Sequence, residues 1–487
     1  MATYRSPGVY IEEIPTLPPS IAEVESAVPA FIGYTQKAMN LVADDLLNVP
    51  TPIDSLAEYE QYFGDDTGIF EDAGNIKIDV DEQQNGGGNT TGYSVVIDIT
   101  TTALRPYILH NAMQLYFANG GTRCYIVSVG YYTDKISLTT ATKRGLQDGL
   151  ATIGMIDGPT ILLSPEAISL NQGDFNAFNQ AMLNQASTLK DRFAIIDTLE
   201  STTPKSPGSI TTDVGTAIDG VANGTSQVGL QYGAVYYPFL QTIYNLAFDF
   251  KNLTIDKYTT NGAASDPKGM TGKAMSALPY SLYSVISAQY QKYNVILPPS
   301  AAIAGVYCGV DANRGVWKAP ANVALTDVNK ATVTIARVDQ DSLNVNDTTG
   351  KSVNAILNSP GFGIVVWGAR TLDGNDNEWR YINVRRFFIM VEQSVKNSTG
   401  LFVFEPNTSI TWVKVQAMIE NYLFQKWRDG ALAGAKPEQA YYVNVGLGST
   451  MTAQDILEGR LIVQIGMAVA RPAEFIIMEF VQMLQSS

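Results

Sequence analysis

The chain has 487 residues, 45% of them hydrophobic and 16% charged, and its 47 acidic and 32 basic residues give a formal net charge of −15. This acidic balance argues against a nucleic-acid-binding surface, which needs a basic patch, and the hydrophobic content excludes a largely disordered chain. The length predicts two to four domains.

The cysteine content and the N-terminal residues indicate the cellular compartment. Cys124 and Cys308 are the two cysteines, too few for a disulfide framework, and we expect both to lie reduced in a cytosolic core. The first residues, "MATYRSPGVYIEE", have no basic region followed by an apolar one, and no apolar run approaches the roughly 20 residues of a membrane span. We therefore expect synthesis in the cytoplasm without membrane insertion.

Residues 1–26 have the pattern of an extended segment. "VYIEEIP" alternates apolar and acidic residues with the period of a strand, and prolines on both sides, Pro7 and Pro15 among them, disfavour a helix. A single strand cannot pair its own backbone groups. The segment is therefore predicted to dock on a sheet edge, either of its own subunit or of a neighbour.

Residues 27–355 alternate apolar strands with amphipathic helices. The strand patterns are "AVPAFIGYT", "CYIVSVG", "PTILLSP", "RFAIIDT" and "YGAVYYPFL", and helical patterns include 109–118 and 174–191. Continuously apolar strands that alternate with helices are typical of a parallel sheet covered on both faces, which is an α/β domain.

Two stretches interrupt this alternation. Residues 66–104 contain two strand patterns around "DEQQNGGGN" and predict an inserted β-hairpin. Residues from about 200 to 275 are rich in small and polar residues, and 200–226 and 258–273 are predicted to be surface loops.

The last two hundred residues contain the clearest helix. In "PPSAAIAGVYCGVDANRGVWKAPAN", small residues predict a helix packed close to its sheet. Further on, residues 408–429 predict a helix capped by Asn407 or Thr408 and ended by Gly430. Thr452 and Asp455 resemble a capping box. A strand pattern in "RLIVQIGMAVA" then precedes a second extended segment, which begins at Pro472.

The sequence contains no complete catalytic or metal-binding motif. His110 is the one histidine of the chain, which excludes multi-histidine metal sites. It falls in a helical pattern, so we predict a structural role for it. Gly350-Lys351-Ser352 lacks the first glycine of a phosphate loop, and "DVDEQQNGGGNT" lacks the final glutamate of a calcium loop. "LDGNDNEW" is better explained as a polar turn than as a cation site. We expect no catalytic residue, metal or cofactor.

The chain resembles the contractile tail sheath family, which includes sheaths of phage tails, R-type bacteriocins and other contractile injection systems. The blocks that carry the resemblance cover both ends and most of the chain after residue 290: "SPGVYIEEI", "ESAVPAFIGYT", "YFANGGTRCYIVSVG", "PPSAAIAGVYCGVDANRGVWKAPAN", "VVWGARTLDGNDNEWRYINVRRFFIMVEQSV", "FVFEPNTSITWVKVQAMIENYLFQKWRDGALAGAKPEQAYYV" and "TMTAQDILEGRLIVQIGMAVARPAEFIIMEF".

The resemblance implies an α/β architecture, α+β overall, in four parts. These are an N-terminal arm at 1–26, a subtilisin-like parallel-sheet domain without a catalytic triad at 27–355, an α+β C-terminal sheath domain at 356–470 that faces an inner tube, and a C-terminal arm at 471–487. The 66–104 insertion and the 200–275 loops depart from compact sheaths.

The resemblance also implies a mechanism and partners. Subunits form stacked hexameric rings around an inner tube, and on a baseplate trigger the rings rotate, shorten and widen, which drives the tube through an envelope. Baseplate and terminal cap proteins are implied, and a second sheath paralogue could share the wall. Assembly is expected in the bacterial cytoplasm, and the final site in a virion, a released particle or an anchored device.

The implied functional residues fall into three groups. Arms that add strands to neighbouring sheets comprise Val9, Tyr10, Ile11, Glu12, Ile14, Phe475, Ile476, Ile477, Met478 and Phe480. Arg314, Trp317 and Lys318 either fix a domain junction or belong to an ordinary packed helix. Lys414, Lys426 and Arg428 either face the tube or lie on a solvated or intersubunit face.

Two other classes compete with the sheath. An α/β hydrolase requires a histidine near a serine and an aspartate, and no GxSxG motif is present. An acidic, tyrosine-rich surface or carbohydrate-binding module does not explain two terminal strand segments.

Overall fold

The structure is a computed structural model that describes residues 20–66, 76–99, 107–199, 229–245, 253–264, 266–292, 294–346 and 349–475. These residues form two compact units. The larger unit contains the described residues of 25–389 and 471–475, and the smaller unit contains 20–24 and 390–470. Within the described ranges, no helix is both long enough and apolar enough to cross a bilayer.

The strands of the described residues are short and largely apolar. In chain order they are β1 Pro29–Thr35, β2 Thr51–Ile53, β3 Ile76–Gln84, β4 Thr90–Ile99, β5 Cys124–Tyr131, β6 Ile161–Leu163, β7 Phe193–Ile196, β8 Gly233–Tyr237, β9 Leu240–Asn245, β10 Lys257–Thr260, β11 Asn294–Leu297, β12 Val323–Ala324, β13 Val328–Ala331, β14 Val353–Ser359, β15 Gly363–Val366, β16 Tyr441–Val445 and β17 Val463–Met467.

The helices vary from one turn to more than five turns. They are α1 Leu56–Phe63, α2 Leu109–Ala118, α3 Leu146–Ile153, α4 Gln172–Leu189, α5 Tyr280–Tyr290, α6 Ser300–Arg314, α7 Arg337–Asn344, α8 Ile382–Thr399, α9 Ser409–Arg428, α10 Pro437–Ala440 and α11 Ala453–Leu457.

A mixed sheet forms the centre of the larger unit. Within the described residues its nine strands lie in the order β12-β15-β14-β8-β7-β6-β1-β5-β2. Neighbouring strands from β14 to β5 in this order pair in parallel. At the edges, β2 pairs antiparallel with β5, β15 with β14, and β12 with β15. In β1, Phe31 packs into one apolar core, whereas Ala30 and Ile32 pack into another. The predicted α/β sheet with two covered faces is confirmed.

The 66–104 insertion and part of the 200–275 stretch fold together. Strands β3 and β4 form the predicted antiparallel hairpin, and β10 pairs in parallel with β3. Helix α5 packs on this three-stranded sheet and closes a separate apolar core. The predicted surface loop at 258–273 is therefore wrong where β10 lies, because the third strand of the sheet comes from residues 178 positions after their partners in β3.

One buried carboxylate links the parts of this small core. Glu82 on β3 accepts hydrogen bonds from Lys268, from Thr90 and, at 2.8 Å, from the hydroxyl of Tyr258. Burial alone would raise the pKa of Glu82, but these hydrogen bonds outweigh it and lower the pKa to about 2.

The small residues of α6 lie against another helix. A Cβ on Gly305 would come within 2.5 Å of the carbonyl oxygen of Tyr116 in α2, whereas a Cβ on Gly309 would have 3.7 Å to the carbonyl oxygen of Asn119. The prediction that these glycines bring α6 close to its sheet is therefore wrong. The close approach is between α6 and the end of α2.

This contact predicts opposite results for two similar substitutions. Gly305→Ala should lower the free energy of unfolding by about 1–3 kcal/mol, because backbone must move to admit the methyl group. Gly309→Ala should be neutral or stabilising by up to about 1 kcal/mol, because the site has room and alanine favours a helix. Urea denaturation of both variants measures the difference, and equal stabilities would contradict the close approach.

The smaller unit is built on α9. Val415, Ile419 and Leu423 are buried as predicted, while Trp412 and Trp427 at the two ends of the stripe are half-buried. Strands β16 and β17 pair antiparallel, and α9 packs on β16. The hydroxyl of Thr452 accepts from the backbone of Asp455 and begins α11, which confirms the capping box.

Candidate functional site

His110 is placed among carboxylates. Its Nε2 lies 3.2 Å from Oε1 of Glu60, and its Nδ1 lies 3.9 Å from Oδ1 of Asp66. Within the described residues no serine or cysteine is hydrogen-bonded to the ring. The ring is 4% exposed, and its Nε2 faces a carboxylate.

Two buried carboxyl groups accept hydrogen bonds from the first backbone N–H groups of two helices. Glu166 accepts from the backbone N–H groups of Ile108 and Leu109 at 3.0 and 3.2 Å, and so satisfies the first donors of α2. Asp197, directly after β7, accepts from the N–H of Ser300 at 2.8 Å at the start of α6. Burial raises the pKa of Glu166 to about 8 and that of Asp197 to about 7. The sequence analysis did not single out either residue.

Asp197 predicts a pH-dependent stability. Its folded-state pKa lies above the ordinary value of 3.8, so its contribution is fully present below pH 3.8 and is lost as the pH rises through about 7. Asp197→Asn keeps the acceptor for Ser300 and cannot ionise. Its stability relative to wild type should therefore rise between about pH 4 and 7 and then level off.

Urea midpoints over this pH range measure that difference, and a constant difference would contradict it. Glu166→Gln is the contrasting variant. Both oxygens of Glu166 accept from backbone N–H groups, Oε2 from Tyr34 at 2.7 Å, so an amide nitrogen would face a donor. We expect it to cost about 1–3 kcal/mol below about pH 4.5. This cost should shrink as the pH rises to about 8, because ionisation of Glu166 then destabilises wild type.

The three residues predicted at a junction make different contacts. The carbonyl oxygen of Trp317 accepts from the side chain of Asn383 at 2.8 Å, and its ring lies edge-on to Phe387 at 6.3 Å between centroids. Lys318 donates to the carbonyl of Ala319 at 3.0 Å, and Arg314 is exposed. The turn begins at Gly315, whose φ of 84° favours glycine.

A buried ion pair lies beside this turn. Arg386 on α8 binds both carboxylate oxygens of Asp311 on α6, at 3.1 and 2.6 Å. Arg386 also donates to the carbonyl of Ser26 at 3.0 Å, and the hydroxyl of Ser26 donates to Asp311 at 2.6 Å. This network, missed in the sequence, holds the residues that follow the N-terminal segment. The signal was present in "NVRRFFIMV", since arginines within an apolar stretch are buried only when paired.

The preceding residues are held within the smaller unit. The carboxylate of Glu23 binds Nζ of Lys426 and accepts from the hydroxyl of Tyr422 at 3.3 Å. The N–H of Val24 donates to the hydroxyl of Ser394 at 3.1 Å. Lys426 is therefore in an internal ion pair with only 12% of its side chain exposed. Of the three cations predicted to face a tube, Lys414 and Arg428 are exposed.

The C-terminal segment is held at Glu474 in the larger unit. Arg370 binds both oxygens of this carboxylate, with Nε at 2.9 Å and Nη2 at 2.5 Å. Phe475 follows and is 73% exposed. The predicted arm residues Val9, Tyr10, Ile11, Glu12, Ile14, Ile476, Ile477, Met478 and Phe480 lie outside the described residues.

Polar clusters give no metal site in the described ranges, where no group of His, Cys, Asp or Glu side chains could hold an ion. In the "LDGNDNEW" turn, Oδ1 of Asp376 accepts from the backbone N–H of Glu378 at 2.6 Å. Cys124 and Cys308 are free and buried.

Known tail sheath proteins match this chain in sequence. The family of the phage tail sheath C-terminal domain matches residues 374–483. The tail sheath proteins of Vibrio phage KVP40 and Enterobacteria phage T4 are each 27% identical, over 151 and 141 residues, which is 29% and 28% of this chain. The matched stretch spans about a fifth of the length of these curated relatives, 22% and 21%.

Solved structures match over nearly the whole chain. The helical sheath of the anti-feeding prophage in its contracted state is 30% identical, covers 99% of this chain and 100% of its own, and has a TM-score of 0.63. A chain of the six-fold symmetrised baseplate of the same particle is also 30% identical with the same coverage and a TM-score of 0.61. The contracted PVC sheath of an extracellular contractile injection system is 28% identical over 99% of both chains, with a TM-score of 0.63. With this likeness extending from end to end, the chain belongs to the contractile tail sheath family.

Proposed function

We propose that the chain polymerises as stacked hexameric rings around an inner tube and that contraction of this sheath drives the tube through a target envelope. The observation that carries the proposal is the end-to-end similarity, at 30% identity, to a helical sheath solved in its contracted state. The larger unit corresponds in this proposal to a subtilisin-like domain without a catalytic triad.

The internal anchors at both ends support a polymer joined by strand exchange. Glu23 and Glu474 each form an ion pair within the subunit, inside the segments proposed as arms at 1–26 and 471–487. An arm that adds a strand to a neighbouring sheet must be fixed at its base if force is to pass between subunits. Backbone hydrogen bonding suits this joint because it needs no particular side chain.

The role is structural rather than enzymatic in this proposal. The contacts of His110 with Glu60 and Asp66 support it, and so do the relatives, which are tail sheath proteins. Self-association into a sheath that meets a baseplate is the expected partnership, with a terminal cap protein and an optional sheath paralogue. Assembly in the bacterial cytoplasm and delivery in a virion, released particle or anchored device belong to the same proposal.

Electron microscopy of the purified chain tests the function. Regular cylinders with a cogwheel end view are expected, in the contracted form when no tube is supplied. Discrete particles at all concentrations would overturn the proposal and favour the hydrolase or carbohydrate-binding alternative. Trp317→Ala tests the proposed junction in the same assay, and normal assembly and contraction would remove that role.

Contact with the tube is assigned to Lys414 and Arg428 on α9, because Lys426 is already paired internally with Glu23. Lys414→Glu should weaken co-sedimentation with the tube protein by up to about fivefold at low salt, the range for one exposed charge pair, and less at high salt. Lys436→Glu, an exposed lysine of the same unit outside α9, is the matched control. Equal binding by both variants would contradict the assignment.

A further inference from the structure

Arg370 is fixed to the central sheet through its backbone. The side-chain amide of Asn354 on β14 accepts from the N–H of Arg370 at 2.8 Å and donates to its carbonyl at 2.8 Å. The same amide nitrogen lies 3.1 Å from the carbonyl of Val235 on β8. Asn354 is buried, so Arg370 is tied to two adjacent strands in the interior of the sheet.

The guanidinium of Arg370 is fixed as firmly as its backbone. Nη1 donates to the carbonyl of Gly374 at 3.0 Å, while Nε and Nη2 hold the two oxygens of Glu474. The hydroxyl of Tyr381 lies 3.3 Å from the same carboxylate. The arginine side chain is 6% exposed and that of Glu474 is 19% exposed, so water competes little for this bidentate pair.

We propose that Arg370 is a positioning residue that clasps Glu474 and transmits tension from the C-terminal segment through Asn354 into the central sheet. The inference rests on the proposed sheath function, since tension arises only if the segment engages a neighbour. The partner of the clasped segment is accordingly a second copy of this chain.

The contacts form a continuous path from the segment to the sheet. This path from Glu474 to β8 runs through one ion pair and the hydrogen bonds of one amide, with donor–acceptor distances from 2.5 to 3.1 Å. Phe475, the next residue, is largely exposed, so within the described residues this end of the segment is held at Glu474.

The experiment compares Glu474→Ala, Arg370→Met and the control Glu458→Ala. Glu458 also pairs with an arginine at 2.5 Å, but its partner Arg460 is 56% exposed and belongs to the smaller unit. For the anisotropy measurement each chain carries Phe475→Cys labelled with a fluorophore, and Cys124 and Cys308 stay unlabelled because burial hides them and raises their pKa. Because Phe475 is itself a proposed arm residue, tube yield and melting temperature are measured on chains without this substitution. Probe anisotropy in the isolated subunit, melting temperature, and tube yield by microscopy are measured.

The clasp predicts that both clasp variants lower probe anisotropy in the isolated subunit and reduce tube yield roughly tenfold, the change expected when one charge-assisted pair is lost. Both clasp variants should lower the melting temperature, because each leaves one charge of a mostly buried ion pair without its partner. Anisotropy is therefore measured well below the melting transition of every chain, where each subunit is folded. Glu458→Ala should resemble the parent chain in every measurement.

Unchanged anisotropy, or full tube yield from Glu474→Ala, would overturn the clasp while the sheath function stands. If the unsubstituted chain forms no tubes, the sheath function fails and the transmission of tension fails with it. A lower anisotropy in both clasp variants at a temperature where the subunits remain folded separates local anchoring from general stability.

Discussion

Removing residues 1–19 or residues 476–487 should abolish ordered cylinders while the subunit stays folded. Truncation after residue 19 keeps Glu23 with its partner Lys426, and truncation before residue 476 keeps Glu474 with Arg370. The ion pairs described at both ends therefore survive. What is lost is the proposed pairing with a neighbour, where about five backbone hydrogen bonds at about 1 kcal/mol each would contribute more than about a thousandfold to the association constant.

Proline substitution gives a sharper version of this experiment. Ile11→Pro and Ile477→Pro remove a backbone donor and should abolish cylinders, because proline cannot donate to a strand ladder. Ile11→Ala and Ile477→Ala retain the donor and should assemble with reduced yield. Electron microscopy and sedimentation measure assembly, and circular dichroism checks the fold. Cylinders at wild-type yield from either truncated chain would contradict strand exchange.

Local patterns predicted much of the fold. The apolar runs of the α/β region became the parallel strands, and the alternation around "DEQQNGGGN" became the hairpin of β3 and β4. The hydroxyl of Thr452 accepts from the N–H of Asp455 and begins α11, as the capping-box pattern predicted. These features are predictable because each depends on residues within a few positions of one another.

Contacts between distant residues could not be predicted in the same way. Periodicity indicates which face of an element is buried but not what covers it, so Gly305 was assigned to the sheet instead of to α2. The pairing of β10 with β3 joins residues about 175 positions apart. The ion pairs of Glu23 with Lys426 and of Arg370 with Glu474 likewise depend on the folded arrangement.

Long-range contacts also explain why the partners of the candidate site residues could not be predicted from the sequence. Lys426 has the sequence features of an exposed helical cation, but the fold brings Glu23 to it from about 400 positions earlier. Trp317 was singled out by its turn, and the structure adds Phe387 and Asn383 as its contacts. The terminal segments themselves were predicted by what they lack, since a strand pattern without a local partner indicates pairing elsewhere.

Arg386→Met should cause the largest loss of subunit stability, about 3–5 kcal/mol, because it leaves Asp311 charged and buried without its partner. The guanidinium is 2% exposed and the carboxylate 7%, and Asp311 would keep only the hydroxyl of Ser26 as a donor. The aliphatic stem of methionine preserves packing against Tyr307, whose ring lies 4.4 Å from the guanidinium carbon. The loss of unfolding free energy should therefore come from the unpaired charge of Asp311 and not from a change in side-chain volume. Urea denaturation measures this loss.

A double-mutant cycle makes the attribution to charge testable. Adding Asp311→Asn to Arg386→Met removes the uncompensated carboxylate, so the double variant should be more stable than Arg386→Met alone. Arg123→Met is the control, because Arg123 lies 4.0 Å from Asp54 with both side chains mostly exposed, and it should cost less than about 1 kcal/mol. A cost for Arg386→Met as small as that of the control would show that Asp311 does not depend on Arg386. Stabilities that simply add in the double variant would show that the two side chains act independently, and the residues following the N-terminal segment would then need another anchor.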